Sequence, residues 1–425
     1  MNILKKIKNR LIDNQRFTIL EKDRSELFNR IDEIWTRLED IDKKTINNSS
    51  SFNIGNSSAT NEPNNPLNQN KLNIAFLIRG GLGDIVMLAN YIYMFRKKFS
   101  DDIINIDIFS DDHRFESTRT VFNGVQSSFI NNLYARNKDA AKLNYYDLFI
   151  DIARYPDIKK RDLSRISEMV PELIEYIFLC ERFRAEYSRF FTHQGPTDGQ
   201  SAMVSIIKGA KRYQQADIYG FLGMSEKYEH SIHIAENENA YLQQLGLYNR
   251  NFITINRGND SAYAKNSTKI WPLSYYGILI RLLKKRFPNI ILVQIGADST
   301  VFPILPGADM HLVSQTSLEQ VKVLLKHATL HIDGEGGLVH MRHALNGGKS
   351  IVLFGPTSAE FFGYSENENI VGKGCDVWCE WAFSNWQDRC LRGKSSAFSH
   401  CMASIIPEKV LMHIENVLTN NQEEQ

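Results

Sequence analysis

Leu330-His331-Ile332-Asp333-Gly334-Glu335-Gly336-Gly337-Leu338-Val339-His340 passes from an apolar strand, through a turn with glycines on both sides of a carboxylate, into the start of a helix. Such a turn lets backbone approach a ligand closely, and the helix start adds unpaired N–H groups and the positive end of its dipole. The pattern occurs a second time, far upstream. Asn73 to Ile78 runs into Arg79-Gly80-Gly81-Leu82-Gly83-Asp84 and then into apolar Ile85-Val86-Met87-Leu88. Two strand-turn-helix units of this kind specify an α/β protein whose ligand crevice lies at the carboxyl ends of parallel strands.

Working outward from the upstream unit, strands are expected at Ile74 to Ile78, Ile104 to Phe109 and Leu148 to Ile152, with a helix after Asp84 and a long helical stretch from Leu163 to Phe191. The pattern then restarts. Strands at Phe252 to Asn256, Ile290 to Ile295, Leu330 to Asp333 and Ser350 to Phe354 alternate with helices at Leu273 to Phe287 and Leu318 to Lys326. Two βα series separated by a polar break near Leu245 to Asn251 predict two Rossmann-like, doubly wound domains facing a cleft, over 71–248 and 249–425. Upstream of both, Leu20, Leu27, Ile31, Ile34, Leu38 and Ile41 repeat at coiled-coil spacing, a seam through which copies of the chain would associate. Ile3, Leu4, Ile7, Leu11 and Ile12 interleave with Lys5, Lys6, Lys8 and Arg10. That helix suits either an anionic inner-membrane surface or plain solvent. Residues 1–45 are thus read as an amphipathic helix and coiled coil. Asn- and Ser-rich 46–70 buries too little to offset ordering and is read as a disordered linker.

The chain has 425 residues, 43% of them hydrophobic, enough for more than one core. Its formal net charge of +1 gives no global field for nucleic acid, so any anion site must be local. No apolar run is long enough to span a bilayer, and Lys5, Lys6 and Lys8 interrupt the amino terminus, unlike a secretory signal. A cytoplasmic location is expected. The five cysteines are then thiols or metal ligands rather than disulfides.

Asp84 sits where a carboxylate can face the crevice and take a proton from an attacking hydroxyl. As Asp is also a favoured N-cap, the residues alone leave both readings open. Arg79, Gly81 and Gly83 line the same side. On the other side, Asn256-Arg257-Gly258 ends a strand, and Ser267-Thr268-Lys269-Ile270-Trp271-Pro272 precedes a helix whose first turn suits Pro272. Lys269, Thr268 and Arg257 are placed to hold a diphosphate and to stabilise charge on a departing nucleotide. Glu335, Gly336 and Gly337 would hold donor groups, while His340 faces either ligand or core.

Taken in order, the Leu82-Gly83-Asp84 turn, Lys269-Ile270-Trp271-Pro272, the Glu335 to His340 segment and Phe354-Gly355-Pro356-Thr357 resemble glycosyltransferase family 9, the bacterial heptosyltransferases. The resemblance spans nearly everything from Asn73 to Ile406. It implies a GT-B fold and transfer with inversion, with Asp84 as base and Lys269 on donor phosphate. It adds Gly355 and Thr357 to the donor side and involves no catalytic metal. The implied donor is a nucleotide sugar, ADP-heptose being the family's commonest. Glu335-Gly336-Gly337 departs from the family's usual Asp-Ser/Thr-Gly, so a different sugar, or the same sugar held differently, is compatible with it. The implied acceptor is the lipopolysaccharide core or another surface glycan or glycolipid, an adhesin protein being the alternative. Outside enzymes, a glycan-assembly scaffold is the competing class.

Cys375, Cys379, Cys390 and Cys401 gather near the carboxyl terminus. Four thiolates can take a structural zinc or iron tetrahedrally. The cluster is similar to one that holds iron in heptosyltransferases of autotransporter adhesins. The other reading is reduced thiols packed among Trp378, Trp381, Phe383 and Trp386.

Overall fold

The structure, a computed structural model, describes residues 67–68, 70–99, 102–123, 129–188, 205, 209–217, 219–257, 268–297, 303–373, 379, 386, 390, 392 and 399–423. The expected coiled coil and nearly all of the expected linker lie outside the described residues. The first sheet begins with β1 (Leu72–Ile78), buried along its whole length. An unbroken apolar strand of this kind must be covered on both faces. Helix α1 (Leu82–Lys98) covers one of them with Ile85, Val86, Leu88, Ile92 and Phe95. It starts earlier than the expected helix after Asp84, which makes Asp84 its third residue.

β2 (Ile104–Ser110), α2 (Phe115–Phe122), β3 (Asn132–Ala135), β4 (Leu148–Ile152) and β5 (Pro156–Arg161) complete this half, in sheet order β3-β2-β1-β4-β5. β5 pairs antiparallel with β4, a departure from an all-parallel reading. The single long helix expected from Leu163 is two helices, α3 (Leu163–Met169) and α4 (Glu172–Glu186). Pro171 lacks an N–H to donate and disfavours α geometry in the residue before it, so the first helix ends there.

After α5 (Glu238–Gln244), positive φ at Gly246 and Asn249 turns the chain into β6 (Phe252–Asn256). The second half continues through α6 (Leu273–Arg286), β7 (Ile291–Ile295), β8 (Met310–His311), α7 (Leu318–His327), β9 (Leu330–Gly334), α8 (Gly337–Ala344) and β10 (Ser350–Phe354). It ends with α9 (Ala359–Phe362), β11 (Glu368–Val371), α10 (His400–Ala403) and α11 (Pro407–Glu423), which packs on α6. The sheet is parallel throughout, in order β11-β10-β9-β6-β7-β8. Strand order therefore reverses between β1 and β4 in one sheet and between β6 and β9 in the other. Ligands of open parallel sheets bind outside the carboxyl ends of the strands at such reversals.

Residues 65–425 form one compact unit. Lys322, with no exposed surface, ties its parts together by donating to the carbonyls of Thr120 and His233 and to Glu319. Three acceptors for its three protons offset part of the cost of burying the ammonium, although burial still lowers its pKa against the pull of Glu319. Among the described residues no helix is long and apolar enough to cross a membrane.

Candidate functional site

The two glycine turns meet. α1 and α8 abut at their first turns, where a Cβ on Gly337 would lie 2.9 Å from the Leu82 Cβ and 3.1 Å from the Gly83 nitrogen. Only residues without side chains allow two helix starts this close, and their approach brings two sets of unpaired N–H groups into one crevice. His340, buried on α8, lies over Gly83, leaving no room there for a methyl group.

Asp84 is held at both oxygens. Oδ2 accepts the Gly81 N–H at 2.9 Å, and Oδ1 accepts from Arg212 Nη2 at 2.5 Å. The bond to Gly81 is the capping role weighed above, made from the third helical residue rather than from the N-cap, which is Gly81 itself. Gly80 takes φ +112° at a point where a Cβ would collide with the Asp84 carboxylate, so only glycine serves there. Burial pushes the Asp84 pKa up, but Arg212, Arg154 and the Gly81 N–H outweigh it and hold the carboxyl below its usual range. Its side chain keeps 28% exposure, so an ionised carboxylate remains reachable from the crevice.

Arg79 is committed elsewhere. Its guanidinium grips Asp151 at both oxygens, 2.8 and 3.0 Å away, a bidentate pair that ties the end of β1 to β4.

On the opposite wall Lys269 pairs with Glu335, and His340 Nε2 lies 3.7 Å from the other Glu335 oxygen. Burial raises the Glu335 pKa, yet Lys269 and His340 reverse this and lower it to about 2. His340 Nδ1 shares a 2.8 Å hydrogen bond with the Tyr364 hydroxyl, which in turn meets the Tyr228 hydroxyl at 2.9 Å. Glu335 lies just past the carboxyl end of β9, Arg257 past that of adjacent β6, and Thr357 past that of β10. Among the described residues, Arg257 Nε and Thr357 Oγ1 are buried without a hydrogen-bond partner. A buried polar atom in that state is completed by water or by a ligand.

Two expected donor residues face protein. The Thr268 hydroxyl donates to the Trp386 carbonyl at 2.9 Å. Gly355 makes room for Met402 and Cys401. Gly336 is the extended N-cap of α8. Cys375 lies outside the described residues, as do Trp378, Trp381 and Phe383. Among the described residues no three His, Cys, Asp or Glu side chains form a metal-holding group. Cys401 is buried on α10 with its thiol donating to Ser399 Oγ at 3.3 Å.

Arg212, Arg154, Tyr228 and Tyr364 were not singled out from the sequence. Each lies outside the glycine motifs, and Arg212 reaches Asp84 across 128 positions of chain.

Residues 204–387 match the family model described as glycosyltransferase family 9 (heptosyltransferase). No curated protein matches the sequence. Among solved structures, the glycosyl transferase family 9 protein of Veillonella parvula is 15% identical, with 84% of this chain and 99% of that one covered, at TM-score 0.52. The iron-containing dodecameric glycosyltransferase TibC of enterotoxigenic E. coli is 14% identical, with 83% and 78% covered, at TM-score 0.54. The same heptosyltransferase in complex with ADP-D-beta-D-heptose gives 12% identity, 82% and 78% coverage and TM-score 0.54. These structural likenesses establish the fold, two Rossmann-like halves of GT-B type.

Proposed function

We propose, from the match of residues 204–387 to glycosyltransferase family 9 (heptosyltransferase), that the chain is an inverting transferase moving heptose from ADP-heptose to a lipopolysaccharide core or other surface glycan. The observation that supports this reading is the contact of the two glycine turns, which brings the helix bearing Asp84 against His340, itself 3.7 Å from the Glu335 that pairs with Lys269.

In the proposed reaction, 71–248 receives the acceptor and 249–425 the donor. The diphosphate lies at the carboxyl ends of β6, β9 and β10, where Arg257 Nε and Thr357 Oγ1 offer unused polar atoms and the α8 start offers N–H groups. Asp84 takes the proton of the acceptor hydroxyl as its oxygen bonds to the anomeric carbon. The bond from that carbon to the diphosphate breaks, and Lys269 and Arg257 stabilise the negative charge that leaves with the nucleotide. Glu335 keeps Lys269 extended toward the phosphates and offers its remaining oxygen to sugar hydroxyls. ADP-heptose is supported by its complex with TibC, a protein similar in fold. The donor places the reaction in the cytoplasm, with residues 1–45 available for association of copies or peripheral membrane contact.

Purified protein mixed with ADP-heptose and a heptose-deficient lipopolysaccharide core should release ADP only when both are present. Release without acceptor would mark an epimerase or hydrolase, and no release with any nucleotide sugar would mark a scaffold. Transfer to an adhesin protein but not to the core would replace the acceptor alone.

A further inference from the structure

Asp84 differs from an ordinary helix-start aspartate in what holds it from outside the helix. We infer that Arg212 is a positioning residue that fixes the orientation of the Asp84 carboxylate for proton transfer, an inference that rests on the proposed role of Asp84 as base. Arg212 is 4% exposed. Its Nη2 donates both to Asp84 Oδ1 at 2.5 Å and to the Ala153 carbonyl at 3.1 Å. Ala153 directly follows β4, so the guanidinium is anchored to the strand beside β1 and holds one carboxylate oxygen while the Gly81 N–H holds the other. Two bonds from different elements stop the carboxylate from rotating about its terminal torsion, which is otherwise broad. The lone pairs left over then point in one fixed direction.

The charged and titratable groups around Asp84 come from three places. Arg212 lies in the turn Arg212–Asp217, Arg154 follows β4, and His340 covers Gly83 from α8. Both arginines favour the ionised carboxylate, and a guanidinium cannot itself surrender a proton at physiological pH. Arg212 therefore acts through Asp84 and not as an acid. An Arg212 that served only to satisfy the Ala153 carbonyl would leave kcat unmoved when its charge is kept and its two-way grip is removed.

Carboxyl carbon NMR of labelled full-length protein reads the charge contact, the Asp84 signal being the one lost in Asp84→Asn, and turnover reads the orientation. Replacing Arg212 with Met should raise the Asp84 midpoint by about one pH unit or more, since an adjacent opposite charge shifts a carboxyl by this much. It should also lower kcat roughly tenfold or more at unchanged KM for ADP-heptose, because misorientation acts on the chemical step. An unmoved midpoint overturns the inference. If Arg212→Met does not fold, Arg212→Lys keeps the charge without the two-way grip. It should lose kcat and retain most of the midpoint, and wild-type kcat in that variant overturns the inference equally. Failure of the base assignment looks different: Asp84→Asn would turn over normally while the Arg212-dependent titration persisted.

Discussion

Gly83 and Gly337 touch across the crevice: a Cβ on Gly83 would lie 3.4 Å from the Gly337 Cα and 2.5 Å from His340 Cδ2. The active arrangement thus depends on what these residues lack. Gly337 is the first residue of α8, a helical position that alanine adopts at least as readily as glycine. Gly337→Ala should therefore leave the fold intact but part the two helix starts, since its methyl would press on Leu82. Turnover is expected to fall roughly 100-fold, the scale of a 1 Å misplacement of catalytic groups. Normal turnover with normal thermal stability would show that the contact is incidental.

Asp84→Asn changes one atom and keeps the residue's volume, so it tests charge and basicity rather than packing. Transfer should drop by at least about 100-fold, the lower range for general-base catalysis. ADP affinity by calorimetry should stay within about threefold, as the donor wall is not touched. Retained turnover would remove Asp84 from the mechanism.

The Lys269–Glu335 pair predicts a pH dependence of definite sign. Glu335 has a folded pKa of about 2 against a reference of 4.5. A depressed carboxyl contributes stability that is fully present above pH 4.5 and is lost as pH falls through about 2. Lys269→Met removes the partner and leaves a buried carboxylate beside His340. At neutral pH it should destabilise by about 3 kcal/mol, the penalty for breaking a buried pair, and weaken ADP binding. Denaturant unfolding at neutral pH and near pH 3 measures the first effect, and a Lys269→Met protein as stable as wild type at both would exclude it.

How much of this was legible in the sequence follows from which signals are local. β4, β6 and β10 run over the expected residues, Leu148–Ile152, Phe252–Asn256 and Ser350–Phe354, because central parallel strands are continuous apolar runs. β5 carries Lys159, Lys160 and Arg161 on an edge and offers no such run. The glycine turns were readable because a close approach of backbones permits few residue types. Arg212 was not, since a basic residue beside Lys211 looks like ordinary surface and its partner is fixed only when the chain folds. Thr268 and Gly355 illustrate the converse limit. Their neighbourhood was legible, but which way the hydroxyl turns and what fills the space beside the glycine depend on the segment carrying Trp386 and Cys401.

That segment also carries the expected metal site. A tetrahedral thiolate set from Cys375, Cys379, Cys390 and Cys401 would give purified protein one iron or zinc per chain by elemental analysis. Cys401→Ser should lower that content and destabilise the lobe around Met402, because four-thiolate sites contribute directly to folding. Protein containing neither metal, with Cys401→Ser as stable as wild type, would leave the cysteines as packed thiols.

His230 supplies an acid sensitivity independent of the crevice. Its ring stacks on Tyr93 at 5.5 Å and meets Phe129 edge-on at 4.9 Å, and it is 5% exposed. Burial lowers its pKa from 6.5 to about 4, so the unfolded chain takes up a proton at a pH where the folded chain does not. Stability is whole above pH 6.5 and declines as pH falls toward 4, by at most on the order of 3 kcal/mol at about 1.4 kcal/mol per pKa unit. His230→Phe keeps an aromatic ring between Tyr93 and Phe129 and removes the titration. Urea unfolding near neutral pH and near pH 4.5 should show wild type losing about 2 kcal/mol more than the variant, and other titrating groups cancel because both proteins share them. Equal losses in the two proteins would mean that His230 takes up its proton in the folded state as readily as in the unfolded one.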